Sequence, residues 1–163
     1  MIAIVAVDRN WGIGKDGEQL IYIPEDLKRF KNFTTGNAII LGRKTMYTFP
    51  GSKPLKGRRN LILSRTPDFA PEGAEVFPGL EELMEKVTDP DNTYVVGGAS
   101  VYHTMIGQCD RAYVTKIDAE YPADCWFPNL DEDPNWELTE VVQSGEENGI
   151  AYEMCIYTRK GTV

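Results

Sequence analysis

The sequence predicts an α/β protein in which helices cover both faces of a mostly parallel β-sheet. The predicted strands are short, continuous apolar runs, a pattern typical of strands that are buried on both faces. Segments with helical periodicity separate these runs along the chain. Near the C-terminus, two longer β-rich runs flank the turn-rich residues 144–149. This pair predicts an antiparallel hairpin at one side of the sheet.

The individual elements follow from local signals. Strands are predicted at residues 2–7, 38–41, 60–63, 94–96 and 112–117, and in the terminal pair at residues 136–142 and 150–158. A helix is predicted at residues 24–35, because Pro24 suits the first turn of a helix and Glu25 and Asp26 favour its N-terminus. Apolar residues at i, i+3, i+4 and i+7 predict a second helix at residues 80–87, and a third is predicted at residues 100–106. Without a linker or repeat, residues 1–163 are expected to form a single domain.

Composition narrows the class of protein. The net charge of −8 argues against nucleic acid as a partner. No apolar run reaches the roughly twenty residues that span a bilayer, and the N-terminus lacks the positive flank of a signal peptide. Cys109, Cys125 and Cys155 are an odd number without metal-type spacing, and the lone His103 cannot complete a zinc site with them. We therefore expect a cytoplasmic protein with reduced thiols, bound to neither metal nor membrane. A monomer is also expected, although composition does not determine the oligomeric state.

Charge is distributed unevenly along this acidic chain. Residues 27–67 hold ten of the 17 Lys and Arg residues and contain neither Asp nor Glu. Asp26 directly precedes this basic segment and follows the apolar residues 20–23. A carboxylate beside apolar neighbours and a cationic segment predicts a site for a charged organic molecule. A solvated basic face is the alternative, and charge alone does not decide between them.

A glycine-rich segment follows the first predicted strand. Gly12, Gly14 and Gly17 match the G-x-G-x-x-G pattern of dinucleotide-binding proteins. That motif needs a strand directly before it and a helix opening on its last glycine, whereas here four residues intervene and the next helix starts near Pro24. The segment is better interpreted as a mobile, glycine-hinged loop over a site.

Two other glycine positions have strand, glycine and helix in the required order. They are Gly42 and the pair Gly97-Gly98, each followed by a predicted helical segment. Both would bring free backbone amides to the C-terminal edge of the sheet, where α/β proteins bind ligands. Each one alone could be an ordinary tight turn. Together they would hold the two sides of one elongated phosphate ligand.

Cations near these turns favour NADP over NAD. Arg43 and Lys44 follow the first turn, and Ser64 and Arg65 end the neighbouring strand. A cofactor with a free ribose hydroxyl usually meets Asp or Glu at this point, whereas a 2′-phosphate is matched by cations.

Asp26 is the strongest candidate for a catalytic carboxylate. It shares one predicted helical stripe with Phe30 and Phe33, and this stripe would face an apolar cavity. Desolvation there would raise its pKa, while the helix N-terminus would lower it. An exposed first-turn acid that only favours the helix dipole is the structural alternative.

Four separated motifs in this order closely resemble the dihydrofolate reductase family. The motifs are Ile23-Pro24-Glu25-Asp26-Leu27 with Phe30-Lys31, then Leu41-Gly42-Arg43-Lys44-Thr45, Pro54-Leu55 to Arg58, and Val96-Gly97-Gly98. Asp at position 26 resembles bacterial members, where vertebrate members carry Glu. The resemblance implies a central eight-stranded, mostly parallel sheet flanked by helices. It also implies that NADPH and 7,8-dihydrofolate meet in a cleft and react to give 5,6,7,8-tetrahydrofolate for one-carbon metabolism. A member of this family would also be an antifolate target.

The resemblance assigns roles residue by residue. Asp26 would hold the 2-amino group and N3 of the pterin, supported by Thr115, and Arg58 would pair with the α-carboxylate of the glutamate tail. The implied substrate-binding residues are Ile4, Val5, Ala6, Asp26, Leu27, Phe30, Leu55, Arg58 and Thr115. The implied cofactor-binding residues are Ala6, Ile13, Gly42, Arg43, Lys44, Thr45, Leu63, Ser64, Arg65, Val96, Gly97, Gly98, Ala99 and Tyr102. Residues 12–19 would be the family's mobile active-site loop, tied to another loop through Asp124.

One departure from the family pattern precedes the first helix. The family usually has Leu-Pro-Trp there, whereas this chain has Leu20-Ile21-Tyr22, so that Ile21 stands in the Trp position. An isoleucine cannot replace the hydrogen bond of an indole N–H, and Trp11, which lies in the mobile loop, is not expected to substitute for it directly. The related pyrimidine reductase of riboflavin synthesis and a catalytically silent NADPH-binding protein are the alternative functions. Asp26 and Arg58 argue against the first, and turnover would exclude the second.

Overall fold

The fold is built on an eight-stranded β-sheet. The computed structural model describes residues 1–161, in which the strands are β1 (Ile2–Val7), β2 (Gly12–Lys15), β3 (Glu18–Gln19), β4 (Ala38–Gly42), β5 (Arg59–Leu63), β6 (Ala74–Phe77), β7 (Thr93–Gly97), β8 (Arg111–Ile117), β9 (Cys125–Trp126), β10 (Trp136–Glu147) and β11 (Ile150–Arg159). The order of the large sheet is β10-β11-β8-β1-β7-β4-β5-β6. From β8 to β6 all neighbours are parallel, and β11 is antiparallel to both β8 and β10. The predicted α/β class with a mostly parallel sheet and a C-terminal hairpin is confirmed.

Four α-helices accompany the sheet within the described residues. They are α1 (Pro24–Thr34), α2 (Arg43–Met46), α3 (Leu80–Met84) and α4 (Ala99–Met105). α1 begins at Pro24 as predicted and ends one residue early, because Thr35 is extended and Gly36 has a φ of 84°. α3 ends at Met84, whereas residues 80–87 were predicted, because the chain continues in tighter turns such as Lys86 N–H to the carbonyl of Leu83. α4 begins and ends one residue before the predicted helix.

The core has one apolar layer on each face of the sheet. Alternate residues of β4 show the division, because Ile39 and Leu41 pack in one buried cluster and Ile40 packs in the other. Phe33 of α1 packs against the cluster of Ile39 and Leu41, whereas Leu83 of α3 belongs to the cluster of Ile40. Helices therefore cover both faces, as the unbroken apolar strands predicted.

The terminal hairpin is longer than predicted. β10 continues through Glu147, so residues 144–147 belong to the strand and the prediction of a turn over residues 144–149 was wrong in its extent. The turn consists of Asn148 and Gly149, with φ values of 51° and 81°. Asn-Gly suits a two-residue hairpin because both central residues adopt positive φ. The polar composition of residues 144–147 reflects an exposed edge strand rather than a loop.

The segment after β1 is a small hairpin rather than an irregular loop. β2 pairs with β3 through the turn at Asp16-Gly17, whose φ values are 52° and 82°, and β2 also pairs with β9. Gly14 lies in β2, where an added Cβ would meet the carbonyl oxygen of Glu18 at 2.9 Å. No helix opens on Gly17, so the dinucleotide pattern is not realised here.

Cys109, Cys125 and Cys155 are free cysteines, of which Cys109 and Cys155 are buried and Cys125 is half-buried. Within residues 1–161, no helix is long and apolar enough to cross a membrane. The same residues contain no group of three or more His, Cys, Asp or Glu side chains placed to hold a metal ion.

Candidate active site

Asp26 lies at the start of α1, opposite the middle of the sheet. Strand β8 runs beside β1, with Tyr113 opposite Ile4 and Thr115 opposite Ala6. The hydroxyl of the buried Thr115 donates a short hydrogen bond to Oδ1 of Asp26. Asp26 and Thr115, which the family resemblance placed together, are in direct contact, and this bond holds the carboxylate against the sheet.

Burial dominates the electrostatics of this carboxylate. Desolvation raises the pKa of Asp26, while the hydrogen bond from Thr115 and the positive charge of Arg29 act in the opposite direction. Asp26 is therefore not the exposed first-turn acid of the structural alternative. In the ligand-free protein its carboxyl group keeps its proton to a higher pH than an exposed Asp does.

The cavity beside Asp26 is lined in part by residues that were not predicted from the sequence. Its lining consists of Ile4, Asp26, Arg29, Phe33, Tyr113, Val114, Thr115, Met154 and Cys155. Arg29 follows Asp26 by one helical turn, and its guanidinium lies 5.3 Å from the ring centroid of Phe33. Arg29 lies three residues after Asp26, and this i, i+3 spacing on a helix was the sequence signal that could have placed it at the cavity. Met154 and Cys155 reach the cavity through pairing of β11 with β8, which no local pattern could reveal.

The predicted substrate-binding residues divide between the two faces of the sheet. Ile4 packs with the cluster under α1, but the side chain of Val5 belongs to the cluster on the opposite face, since successive residues of a strand point to opposite sides. The side chain of Val5 therefore does not share a face with Ile4, contrary to its assignment to the ring pocket. Along α1, Leu27 is 47% exposed and Phe30 is half-buried. Leu55 packs at the edge of the α1-side cluster.

Arg58 is held near the end of α1 by neutral partners. Its Nε donates to Oγ1 of Thr34 at 3.1 Å and its Nη1 donates to the carbonyl oxygen of Lys56 at 2.8 Å. The neighbouring Arg59 instead binds both carboxylate oxygens of Glu75, at 2.6 and 2.9 Å. No ion pair among residues 1–161 involves Arg58. Its charge is oriented and remains available to an anion.

The two predicted glycine turns lie side by side. β4 and β7 are parallel neighbours, with Leu41 opposite Gly97. A Cβ added to Gly98 would lie 3.3 Å from Oγ1 of Thr45, and one added to Gly42 would lie 3.2 Å from Cγ2 of Val101. The prediction that both turns meet at one edge of the sheet is confirmed.

Cations surround this edge without acidic partners. Leu63 ends β5 opposite Gly42 in the parallel register, which places Ser64 and Arg65 beside the first glycine turn. The guanidinium of Arg43 lies 5.6 Å from the ring centroid of Tyr47. No ion pair within residues 1–161 involves Arg43, Lys44 or Arg65. Ala99 begins α4 directly after Gly98.

A second small cavity separates β1 from the β2–β3 hairpin. It is lined by Ala6, Asp8, Gly12, Ile13, Gln19, Leu20, Ile21 and Ile117. Ile21 thus lies beside Ala6 and Ile13, whereas Tyr22 is 52% exposed and does not fill this space. Trp11 is buried against Phe127 and Tyr157 and does not line the cavity.

Tyr102 lies beneath the second glycine turn. Its hydroxyl donates to the carbonyl oxygen of Ile4 at 2.7 Å, and an added Cβ on Gly97 would lie 3.5 Å from the tyrosine ring. Burial raises the pKa of Tyr102 well above its ordinary value, so the hydroxyl remains a donor. Tyr102 therefore supports the wall of the site from below.

The β2–β3 hairpin is attached to the segment before β9. The amide of Asp16 donates to Oδ2 of Asp124 at 2.9 Å, and the amide of Asp124 donates to the carbonyl oxygen of Gly14 at 2.9 Å. The predicted connection through Asp124 is confirmed.

Comparison with known proteins agrees with this geometry. A family model described as dihydrofolate reductase matches residues 1–159. The dihydrofolate reductase of Bacillus subtilis is 36% identical over 161 residues, covering 98% of this chain and 94% of that protein. The enzyme of Mycobacterium tuberculosis is 38% identical over 151 residues, covering 90% of each chain.

A solved structure gives the same result in three dimensions. Dihydrofolate reductase from Enterococcus faecalis, complexed with NADP(H) and RAB-propyl, aligns with a TM-score of 0.83 and 33% sequence identity. The alignment covers 98% of this chain and 95% of that one. Since the family model, the relatives and the structure each match nearly the whole chain, this protein belongs to the dihydrofolate reductase family of NADPH-dependent oxidoreductases.

Proposed function

We propose that this protein reduces 7,8-dihydrofolate to 5,6,7,8-tetrahydrofolate with NADPH, and that Asp26 is its catalytic carboxylate. The observation that carries the proposal is the desolvated Asp26, hydrogen-bonded to Thr115 in a cavity beside the central strands. One such carboxylate can accept hydrogen bonds from the 2-amino group and N3 of a pterin.

The role of Asp26 follows from its charge. Binding the pterin replaces water around the carboxylate with hydrogen-bond donors, which favours its ionised form. The negative charge in turn favours protonation of the bound pterin. Asp26 does not reach N5 in the family's geometry, so water is the proposed direct proton donor to that atom. Asp26 therefore orients and polarises the substrate.

The residues along the sheet edge suit NADPH. Arg43 and Arg65, which form no ion pair within residues 1–161, fit a phosphate-bearing end. Gly42 and Gly98 precede α2 and α4, whose first backbone amides have no partner within the helix and point to this edge. Ala6 and Ile13 provide an apolar end beside the substrate cavity, which would take the nicotinamide ring. When bound, NADPH supplies the hydride that C6 of dihydrofolate accepts. The chain's contribution is to hold the two rings in the orientation that hydride transfer requires.

The proposed setting is a single-domain monomer acting on small molecules, without nucleic acid. The net charge of −8 would repel a phosphate backbone from most of the surface. Three free thiols support a reducing, cytoplasmic setting.

A substrate comparison tests the proposed function. Purified protein should oxidise NADPH when given dihydrofolate and should not do so when given a deaminated riboflavin precursor. The reverse preference would identify a pyrimidine reductase, and absence of turnover with both would identify a silent NADPH-binding protein. Neither Asp26 nor Arg58 has a required role in those alternatives.

Arg58 is expected to recognise the glutamate tail of the substrate. Replacing it with Leu should raise KM for dihydrofolate about tenfold or more, because a charge-assisted bidentate contact contributes about 1.5–3 kcal/mol. A pterin without the tail should keep its KM. Lys56→Leu, which removes an exposed neighbouring cation, serves as the control. Equal losses for both substrates would mean that Arg58 only supports the structure.

Ile21 is expected to set inhibitor affinity. It lies beside Ala6 and Ile13, where its aliphatic side chain can shield the rings but cannot hold a water by hydrogen bonding. Ile21→Trp should shift turnover or the affinity for diaminopyrimidine inhibitors a few-fold to about tenfold, the value of one hydrogen bond of about 0.5–1.5 kcal/mol.

Thermal unfolding of Ile21→Trp must be measured alongside, since a larger side chain can overpack the cavity. A stably folded variant with unchanged kinetics and inhibitor constants would place Ile21 outside the site.

A further inference from the structure

Asp8 is a buried carboxylate that the proposed chemistry does not use. It directly follows β1 and is 2% exposed. Its Oδ1 accepts hydrogen bonds from the amides of Asn10 and Gly12, at 2.9 and 2.8 Å. Its Oδ2 accepts one from the amide of Tyr121 at 3.0 Å. No ion pair in residues 1–161 involves Asp8, so backbone amides alone compensate its burial.

These three amides belong to two separate segments. Asn10 and Gly12 lead into β2, whereas Tyr121 belongs to the connection between β8 and β9. Backbone bonds reinforce the junction, since the amide of Asp8 donates to the carbonyl of Gly12 at 3.1 Å and that of Arg9 donates to the carbonyl of Ala119 at 3.0 Å. Asp8 thus joins β1, β2 and the β8–β9 connection.

The junction lies directly beside the proposed cofactor site. Asp8 and Gly12 line the same small cavity as Ala6, Ile13 and Ile21. Ile13 is the next residue after Gly12, so a displacement of Gly12 moves Ile13. Asp124 holds β2 farther along, at Gly14. Two Asp residues therefore hold β2: Asp8 at Gly12, the first residue and base of the strand, and Asp124 at Gly14, near the turn.

We propose that Asp8 is a positioning residue that holds β2, and with it Ile13, at the nicotinamide end of the cofactor site. This inference rests on the proposed function. An ionised carboxylate is suited to the role because it only accepts hydrogen bonds and offers two oxygens to three amides. In an Asn side chain, an NH2 group replaces one of the two carboxylate oxygens. This hydrogen-bond donor would face one set of backbone N–H groups, which are donors too and cannot bond to it. The base of β2 or the Tyr121 connection would then have to separate.

The test compares two ligands that share only one end of the cofactor. Adenosine 2′,5′-bisphosphate carries the 2′-phosphate but lacks the nicotinamide. We expect Asp8→Asn to weaken NADPH binding about tenfold, the loss of roughly one charge-assisted hydrogen bond, while adenosine 2′,5′-bisphosphate binds as in the wild type. Titration calorimetry measures both affinities without turnover. Asp118→Asn, an exposed acid paired with Arg9, is the control and should change neither.

Three results would overturn the proposal. Equal weakening of both ligands would indicate general loss of structure, and unchanged NADPH affinity would exclude a positioning role. If Asp8→Asn does not fold, Gly12→Ala disturbs the same junction, because its Cβ would lie 3.0 Å from Oδ1 of Asp8 and 2.9 Å from Cβ of Ala123 in the β8–β9 connection. That variant should show the same selective loss for NADPH, and wild-type affinities would contradict the proposal. Failure of the wild-type protein to bind NADPH would instead refute the proposed function.

Discussion

Asp26→Asn should lower turnover near neutral pH by about a hundredfold or more, the range in which positioned acid–base groups contribute to catalysis. The replacement keeps the shape of the side chain and can still accept the hydrogen bond from Thr115. It removes the negative charge that would favour the protonated pterin. In acid, where more substrate is already protonated, the variant should recover part of its activity. The pH dependence of kcat and of kcat/KM measures this effect.

The same substitution should not destabilise the ligand-free protein. The pKa of Asp26 in the folded protein is raised above its ordinary value of 3.8. Between these two pKa values, the folded state binds more protons than the unfolded state. The folded protein therefore loses stability as pH rises through this range, whereas a neutral Asn at position 26 avoids the loss. We expect the Tm of Asp26→Asn at neutral pH to equal or exceed that of the wild type. Glu25→Gln, which removes an exposed acid on the same turn, should leave activity unchanged and lower Tm only slightly, because it removes an exposed ion pair with Lys28 and a favourable charge at the helix N-terminus.

A wild-type rate at neutral pH in Asp26→Asn would remove Asp26 from the mechanism. A low rate accompanied by a large fall in Tm would indicate disrupted structure instead of lost chemistry.

Replacing Arg43 and Arg65 together with Ala should weaken NADPH binding by about a hundredfold or more, because two charge-assisted phosphate contacts contribute about 1.5–3 kcal/mol each. NADH, which lacks the 2′-phosphate, should lose much less. The effect should shrink at high salt, since the contacts are at the surface. Direct titration with both cofactors separates binding from turnover.

The matched control for this double variant is Lys28→Ala with Lys31→Ala, which removes two exposed charges from α1. It should leave the preference for NADPH intact. If the Arg43 and Arg65 variant loses NADPH and NADH equally, these cations do not read the 2′-phosphate.

Local signals were sufficient for much of the fold. Pro24 with two following acids predicted the start of α1, and the unbroken apolar run of β1 predicted a strand with both faces buried. The polar residues 144–147 were misread as a turn because an edge strand and a loop have similar composition. Only Asn148 and Gly149 need the positive φ that a tight turn requires.

The site was predictable where motifs coincide with contacts along neighbouring strands. Asp26 and Thr115 were assigned through the family resemblance, and their hydrogen bond links residues far apart in the chain. Cys155 and Asp8 escaped prediction for a different reason. Their contacts depend on the pairing of β11 with β8 and on the approach of Tyr121 to Asp8, and single-sequence periodicity carries no information about either.

Hydride transfer to dihydrofolate in the cleft beside Asp26 can be followed with an isotope. The purified protein is incubated with dihydrofolate and with NADPH deuterated at the transferable C4 position, and the product is analysed by mass spectrometry. The expected product is tetrahydrofolate carrying one deuterium at C6, formed in equal amount to the NADPH consumed. Consumption of NADPH without labelled tetrahydrofolate, or the absence of any tetrahydrofolate, would contradict the proposed function.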